Sequence, residues 1–340
     1  MLPPTDPVVL TRALLAVPSP TNHEGPVTAF LAEYLRRRDW QVTLQPVTEG
    51  RHNLYALASD PVVVLSTHLD TVPPELAWRE DDTTIYGRGA CDAKGIAAAM
   101  IAAAETLRAE GELRVGLLFV VGEEDGSDGA RTAADFASKG HYLINGEPTE
   151  NSLVTAQKGT MKVQLRVTGR AAHSGYPHLG DSAIDRLLDA LQRIRAIPLP
   201  ADPLLGASTL NIGVIHAGEA PNVVAPWATA ELLFRTVGDT TATVAAVRDA
   251  AGEGVEVLLT GGIPPATAPA LAGWRTSIAA FASDLAYHGS WGTCYQLGPG
   301  SIHVAHTEHE QINKDELREG VVLYVRLARQ LLAEHDRSTR

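Results

Sequence analysis

The chain has 340 residues, 45% of them hydrophobic, which is enough for two domains and at least one large core. Its 28 basic and 40 acidic residues give a formal net charge of −12. That balance argues against nucleic-acid or anionic-membrane binding, since both need a basic face. No window approaches the roughly 18 apolar residues of a membrane span. The start, Met1-Leu2-Pro3-Pro4-Thr5-Asp6, lacks the basic and apolar regions of an export signal. Two cysteines, Cys91 and Cys294, imply no disulfide framework, so a cytoplasmic protein with reduced thiols is expected. Cys91 reads as packing rather than as a metal ligand.

In chain order, Thr21 or Asn22 is placed to cap a helix with Pro26 in its first turn, running through Phe30, Leu31 and Leu35. Strands are expected near 41–47, 52–58 and 62–67. A helix at 94–110, a strand at 114–122, a helix at 128–138 and a strand at 142–145 follow. Strands separated by helices of this length predict a mostly parallel sheet covered on both faces. At Lys158-Gly159 the pattern changes. Met161, Val163, Leu165 and Val167 alternate, as in a sheet with one covered face. A helix at 182–195, strands at 209–215 and 229–236, a helix at 242–251 and a strand at 255–260 complete a βαββαβ, ferredoxin-like unit. Gly261-Gly262-Ile263-Pro264-Pro265 reads as its exit linker. The first style then resumes with a helix at 274–284, a glycine-rich loop and a last helix at 314–335. The layout is an α/β domain, residues 1–157 and 266–340, interrupted by a smaller one at 158–265.

Ionisable residues gather at the ends of the apolar strands. His68 and Asp70 close 62–65, and Glu123-Glu124 close 117–121. Asp92 lies between a short strand and a helix, and Glu147 follows 142–144. Ionisable groups at the ends of buried strands are costly unless a metal or partner charge compensates them. Strand C-termini are also where open α/β sheets bind ligands. Zinc takes His nitrogen and carboxylate oxygen, and a pair of ions can share a bridging carboxylate. The chain offers His68, Asp92, Glu124, Glu147 and a late His306, with Asp70 and Glu123 to spare. Asp125 and Asp128 read as solvated or capping residues. Gly87-Arg88-Gly89 lacks the third glycine of a dinucleotide loop, and Lys94 precedes Gly95 rather than Ser or Thr, so no nucleotide site is expected.

Eight runs occur in a telling order: His68-Leu69-Asp70-Thr71-Val72-Pro73, Gly87-Arg88-Gly89 to Lys94-Gly95, Gly122-Glu123-Glu124, Gly146-Glu147-Pro148-Thr149, Ala172-His173-Ser174, Asn211-Ile212-Gly213, Pro221-Asn222-Val223-Val224 and Ala305-His306-Thr307. The set resembles the acetylornithine deacetylase, succinyl-diaminopimelate desuccinylase, aminoacylase-1 and carboxypeptidase G family of zinc hydrolases, over nearly the whole chain. Acetylornithine deacetylase-like members are nearest. The resemblance implies two zinc ions per subunit, bridged by Asp92. His68 and Glu147 complete one, Glu124 and His306 the other, and Co2+ or Mn2+ suits the same donors. Asp70 would orient His68, and Glu123 would act as the base. His173 would reach the oxyanion from a partner subunit, helped by Asn222. Arg235 would clamp the substrate carboxylate, and a cis peptide is expected at Asp92-Ala93.

Two departures bear on substrate choice. The helix of the insert starts in Gly180-Asp181-Ser182-Ala183, where relatives often carry Asn before the Ala. In Ser290-Trp291-Gly292-Thr293-Cys294, Gly292 and Thr293 are candidate substrate contacts, and the acid that relatives place after the Thr is missing. The implied protein is a homodimeric hydrolase joined through its lid domain, removing the N-acyl group of an amino acid. Peptide cleavage as an exopeptidase or dipeptidase is the nearest alternative, and hydrolysis of an amino acid from a carrier protein another. A non-catalytic metabolite-binding descendant is disfavoured, because the base and all five ligands are present.

Overall fold

The computed structural model describes residues 5–339. Met1–Pro4, part of the stretch read for an export signal, lie outside the described residues. The chain divides into two compact units. One holds the residues through Thr155, Thr267–Ser277 and the chain from Ser283; the other holds Ala156–Ala266 and Ile278–Ala282. Among the described residues no helix is long and apolar enough to cross a membrane. The helices of the first unit are α1 (Pro7–Leu15), α2 (Gly25–Arg36), α3 (Lys94–Ala109), α4 (Asp128–Ala133) and the last helix of the chain, Lys314–Ser338.

Two apolar runs decide the architecture of the first unit. Val63–His68 and Val115–Val120 are buried at every position, so both strands belong in the middle of a sheet covered on both faces. They pair in parallel, and Tyr142–Asn145 and then Thr293–Gln296 extend the parallel row. Arg51–Leu57 and Gln41–Thr48 flank it antiparallel on one side, Leu153–Gln157 on the other. The expected mostly parallel sheet is present, with antiparallel margins. Helix α3 packs against α1 and against Lys314–Ser338. Its buried run Ala97–Ala99 and Ala102–Ala104 keeps the side chains at those contacts small. A Cβ at Gly95 would stand 2.2 Å from the Ala90 carbonyl oxygen, so only glycine fits the turn leading into α3.

Several local expectations change. Helix α1 is an addition, capped by Asp6, whose carboxylate accepts the N–H of Val8 and Val9. Neither Thr21 nor Asn22 caps α2: Glu24 holds the cap position, and the Thr21 hydroxyl donates to Asp70 instead. The helix expected at 128–138 ends at Ala133. No helix spans 274–284. Thr276–Ala279 is a strand paired with Leu153–Gln157, where β-branched Thr276 and Ile278 suit an extended chain, and a 3-10 run, Asp284–Trp291, follows.

The second unit is built on four antiparallel strands in the order Thr209–Ala217, Trp227–Thr236, Gly159–Thr168, Val255–Ile263, with α5 (Ala183–Arg195) and α6 (Thr241–Ala251) between them in sequence. That is the expected βαββαβ order. Met161, Val163, Leu165 and Val167 turn inward together and share a core with Leu187, Leu191 and Val247. Gly261 and Gly262 belong to the last strand, beside a bulge after Leu259, so the exit linker begins only after Ile263.

Arg51 ties the first unit together. Its buried guanidinium bonds Glu24 at 2.8 Å at the start of α2 and Asp128 at 2.5 Å at the start of α4, so Asp128 is an ion-pair partner rather than a solvated acid. Arg51→Met leaves the buried Glu24 carboxylate without a counter-charge. Urea unfolding should lose ~3–5 kcal/mol, and a loss below ~1 kcal/mol would exclude the network as a fastening of α2 and α4.

Candidate metal centre

Three neighbouring parallel strands deliver the site. Val63–His68 ends on His68, Val115–Val120 runs on to Glu123-Glu124, and Tyr142–Asn145 leads to Glu147. The turn before α3 presents Asp92, and the loop after Thr293–Gln296 presents His306. His68 Nε2 lies 3.0 Å from Asp92 Oδ1, and His306 Nε2 lies 3.3 Å from Asp92 Oδ2 and 2.9 Å from Glu124 Oε1. Each oxygen of one carboxylate thus faces a different histidine. Donor atoms of His68, Asp92 and Glu124 lie within 4.8 Å of one another. The Asp92–Ala93 peptide is cis. All three histidines of the late loop are exposed, but it is His306 whose ring meets these acids. His306 takes the left-handed backbone (φ 61°), a conformation uncommon for residues other than glycine and frequent at functional sites.

Asp70 backs this arrangement. His68 Nδ1 donates to the Asp70 main-chain oxygen at 3.0 Å, with the carboxylate at 3.4 Å. The same carboxylate accepts the main-chain N–H of Glu123 and of Glu124, both at 3.1 Å, and the Thr21 hydroxyl at 2.9 Å. Asp70 therefore orients His68 mostly through its carbonyl, while its side chain fixes the turn carrying both glutamates.

The charges are strongly coupled. Burial opposes ionisation of His68, but Asp70 and Asp92 outweigh it and hold its pKa well above the ordinary value. Hydrogen bonds to Asp92 and Glu124 push His306 up to about 10. Burial likewise opposes the Asp92 charge, and His306 and His68 hold that carboxylate well below its usual range. Among the described residues Glu123 and Glu147 form no ion pair, and His68 offsets their burial only in part. Burial drives both well upward, reinforced for Glu123 by Glu147 and for Glu147 by Asp92 and Asp284. Glu147 Oε1 is buried without a hydrogen-bond partner. Crowded carboxylates, two imidazoles and an orphaned buried oxygen form a donor set that fits divalent zinc.

The remaining candidates fall elsewhere. Thr293 pairs with Tyr142 at the start of the parallel row, and Gly292 lies against His141; both stand at the sheet end opposite His68. The structure does not bring them to the site, because Thr293–Gln296 runs parallel to its neighbours and begins at the far end. A buried acid that sequence reasoning did not single out, Asp284 after Ser283, interacts with His68, Asp70, Glu123 and Glu147. Asp284 is buried, and burial together with Asp70 and Asp128 pushes it up to about 7 against the opposing pull of Ser127 and His68. A hydroxyl residue followed by an acid was the available signal. His173, Asn222 and Arg235 lie in the second unit. The Asn222 carbonyl accepts the Ser174 N–H, and His173 bridges to Val223, so these two turns hold each other. His173 Nδ1 accepts the Gly175 N–H at 3.0 Å, leaving the proton of a neutral ring on Nε2. Arg235 is half-buried near the end of Trp227–Thr236, opposite Thr160 and Thr209.

A family model described as Peptidase family M20/M25/M40 matches residues 64–330. The chain belongs to this peptidase family. A peptidase M20 domain-containing protein of Schizosaccharomyces pombe is 36% identical to it over 345 residues, covering 96% of this chain and 85% of its own length. A probable carboxypeptidase of Aspergillus niger is 37% identical over 363 residues, covering 93% and 87%. An M20 family metallo-carboxypeptidase from Sulfolobus solfataricus shares the fold, with a TM-score of 0.79 at 17% identity over 96% of this chain and 99% of that one. This M20 chain is thus a metal-dependent hydrolase of amide or peptide bonds.

The histidine shifts give a test of the ligand set. Without metal, the neighbouring acids favour the cationic form of both imidazoles, whereas a ligating imidazole is neutral. Zinc added at pH 7 to metal-free protein in weak buffer should expel protons, and affinity should rise with pH across neutrality. Zinc uptake without proton release would remove His68 and His306 from the ligand set.

Proposed function

We propose that this M20 chain is a two-zinc amidohydrolase releasing an amino acid with a free carboxylate from the acyl group on its nitrogen. One observation carries the reading: Asp92 turns one oxygen to each of two histidines, and Glu123 and Glu147 crowd the same cluster with burial only partly offset by His68. His68 and Glu147 would hold one ion and Glu124 and His306 the other, with Asp92 shared. When bound, such ions polarise the amide carbonyl and make a water acidic. Glu123 would take the proton of the attacking water and give it to the leaving amine. The Nε2–H of His173 donates to the oxyanion that develops on the substrate, with Asn222 fixing its turn. Arg235 pairs with the substrate carboxylate.

The acyl group is small in the acetylornithine deacetylase-like reading and peptidyl in the exopeptidase reading. The carboxypeptidase name of the Aspergillus relative favours keeping the second in view. On this proposal residues 1–157 and 266–340 carry the chemistry in the cytoplasm, and 158–265 form a lid through which two copies pair. Thr209–Ala217 supports the pairing: it is an edge strand with Val214 and Ile215 exposed.

Metal-loaded protein should be offered N-acetyl amino acids, dipeptides with free amino termini, and the α-amide of each. The acids should be hydrolysed and the amides, which lack the partner of Arg235, far less. Glu123→Gln should keep its metal and lose at least ~10²-fold in turnover. Failure on every substrate, or normal turnover in Glu123→Gln, would overturn the reading.

His173 is tested by subunit exchange. His173→Ala mixed with Glu123→Gln gives heterodimers with one complete site if the imidazole crosses between subunits. Activity should then return to about half of wild type per heterodimer by site counting. Exchange verified by mass without recovered activity would confine His173 to its own chain or remove it from the chemistry.

A further inference from the structure

Glu310 has no part in the ligand set, yet its carboxylate is buried in the turn that carries the shared acid. Oε1 accepts the main-chain N–H of Gly89 at 2.8 Å and of Asp92 at 3.2 Å, with that of Cys91 at 3.4 Å. Oε2 receives Arg88 Nη1 at 2.5 Å, and Arg88 Nε donates to the Pro74 carbonyl. The Glu310 carbonyl in turn accepts the Gly87 N–H at 3.0 Å. Successive main-chain N–H groups converging on one anion form a nest, and here the anion belongs to the protein itself. Glu310 also lies four residues after His306, in the same loop. One carboxylate therefore fastens the segment presenting Asp92 to the segment presenting His306.

We propose that Glu310, held by Arg88, is the positioning residue of the metal centre, setting where the Asp92 carboxylate stands between the two histidines. The assignment rests on the metal-site reading above. Glu310 touches neither metal nor substrate; it acts through the Asp92 main chain. A glutamine at 310 keeps one acceptor oxygen for the nest but turns an N–H2 toward the Arg88 guanidinium, so donor meets donor and a buried cation loses its partner. The turn then has no reason to hold its place.

The experiment is zinc affinity, measured on purified full-length protein by competition with a chromophoric chelator, together with the visible spectrum after cobalt loading. Glu310→Gln should bind zinc ~10–100-fold more weakly than wild type, the usual cost of losing a group that orients a ligand. Its cobalt bands should shift. The double variant Arg88→Met/Glu310→Gln removes the stranded cation and should show a loss in the same direction, because a neutral amide oxygen holds the three N–H groups less tightly than a carboxylate. Arg114→Met, which removes an ion network with Glu112 and Asp336 at the end of Val115–Val120 opposite the ligands, should keep wild-type affinity in its folded fraction. Wild-type affinity and cobalt spectrum in both Glu310 variants would overturn the assignment, as would an equal loss in Arg114→Met. Zinc binding and hydrolysis by wild type beside unaltered Glu310 variants would sink the positioning role alone. Wild-type protein that takes up neither ion would overturn the metal-site reading and this assignment together.

Discussion

The buried carboxylate of Asp70 is the constraint on which the first unit turns. It sits without solvent at the end of a central strand, where an uncompensated charge would be prohibitive. Two main-chain N–H groups, a hydroxyl and an imidazole surround it. Those donors come from three places: the segment before α2, the strand end at His68 and the turn after Val115–Val120. Satisfying one charge thereby locks three segments in register. The histidine ring and the two glutamates inherit their positions from that lock. Burial opposes the Asp70 charge, yet its donors hold the carboxyl below the ordinary range, so the anion persists at neutral pH.

Around that fixed point the protein tolerates a concentration of like charge that folding alone would disfavour. Asp92 and Glu124 share His306, and Asp92 also has His68, while among the described residues Glu123, Glu147 and Asp284 form no ion pair. Their raised pKa values are the signature of groups kept near one another for a purpose other than stability. The structural ion pairs look different. Arg51 bonds both Glu24 and Asp128, and Arg88 bonds Glu310, so each of these carboxylates has a guanidinium in contact.

Much of this was legible in the chain. Runs such as Val63 to Leu65 and Leu117 to Val120 have no polar face, so their central, parallel placement follows from burial alone. The alternation from Met161 to Val167 announces the other kind of sheet just as directly. Strand ends also mark where the acids and His68 converge. Less legible were features set by distant partners. Thr276–Ala279 carries enough alanine nearby to read as helix, and only its pairing with Leu153–Gln157 decides otherwise. Thr293 follows a glycine as a binding loop would, yet the direction of its strand sends it to the wrong end of the sheet. Glu310 grips Gly89 across 221 positions of sequence through main-chain groups, which leave no trace in residue identity.

The order of residues along the chain has a consequence for synthesis. His68, Asp70, Asp92, Glu123, Glu124 and Glu147 all precede the second unit, whereas His306 and Glu310 follow it. A ribosome releases N-terminal residues first. The nascent polypeptide thus carries its carboxylates well before it carries the second imidazole or the anchor of the Asp92 turn. Until the final segment emerges, those acids have only protons, solvent and cellular counterions to balance them. The half-built pocket is an electrostatic debtor, and the last stretch of translation closes it.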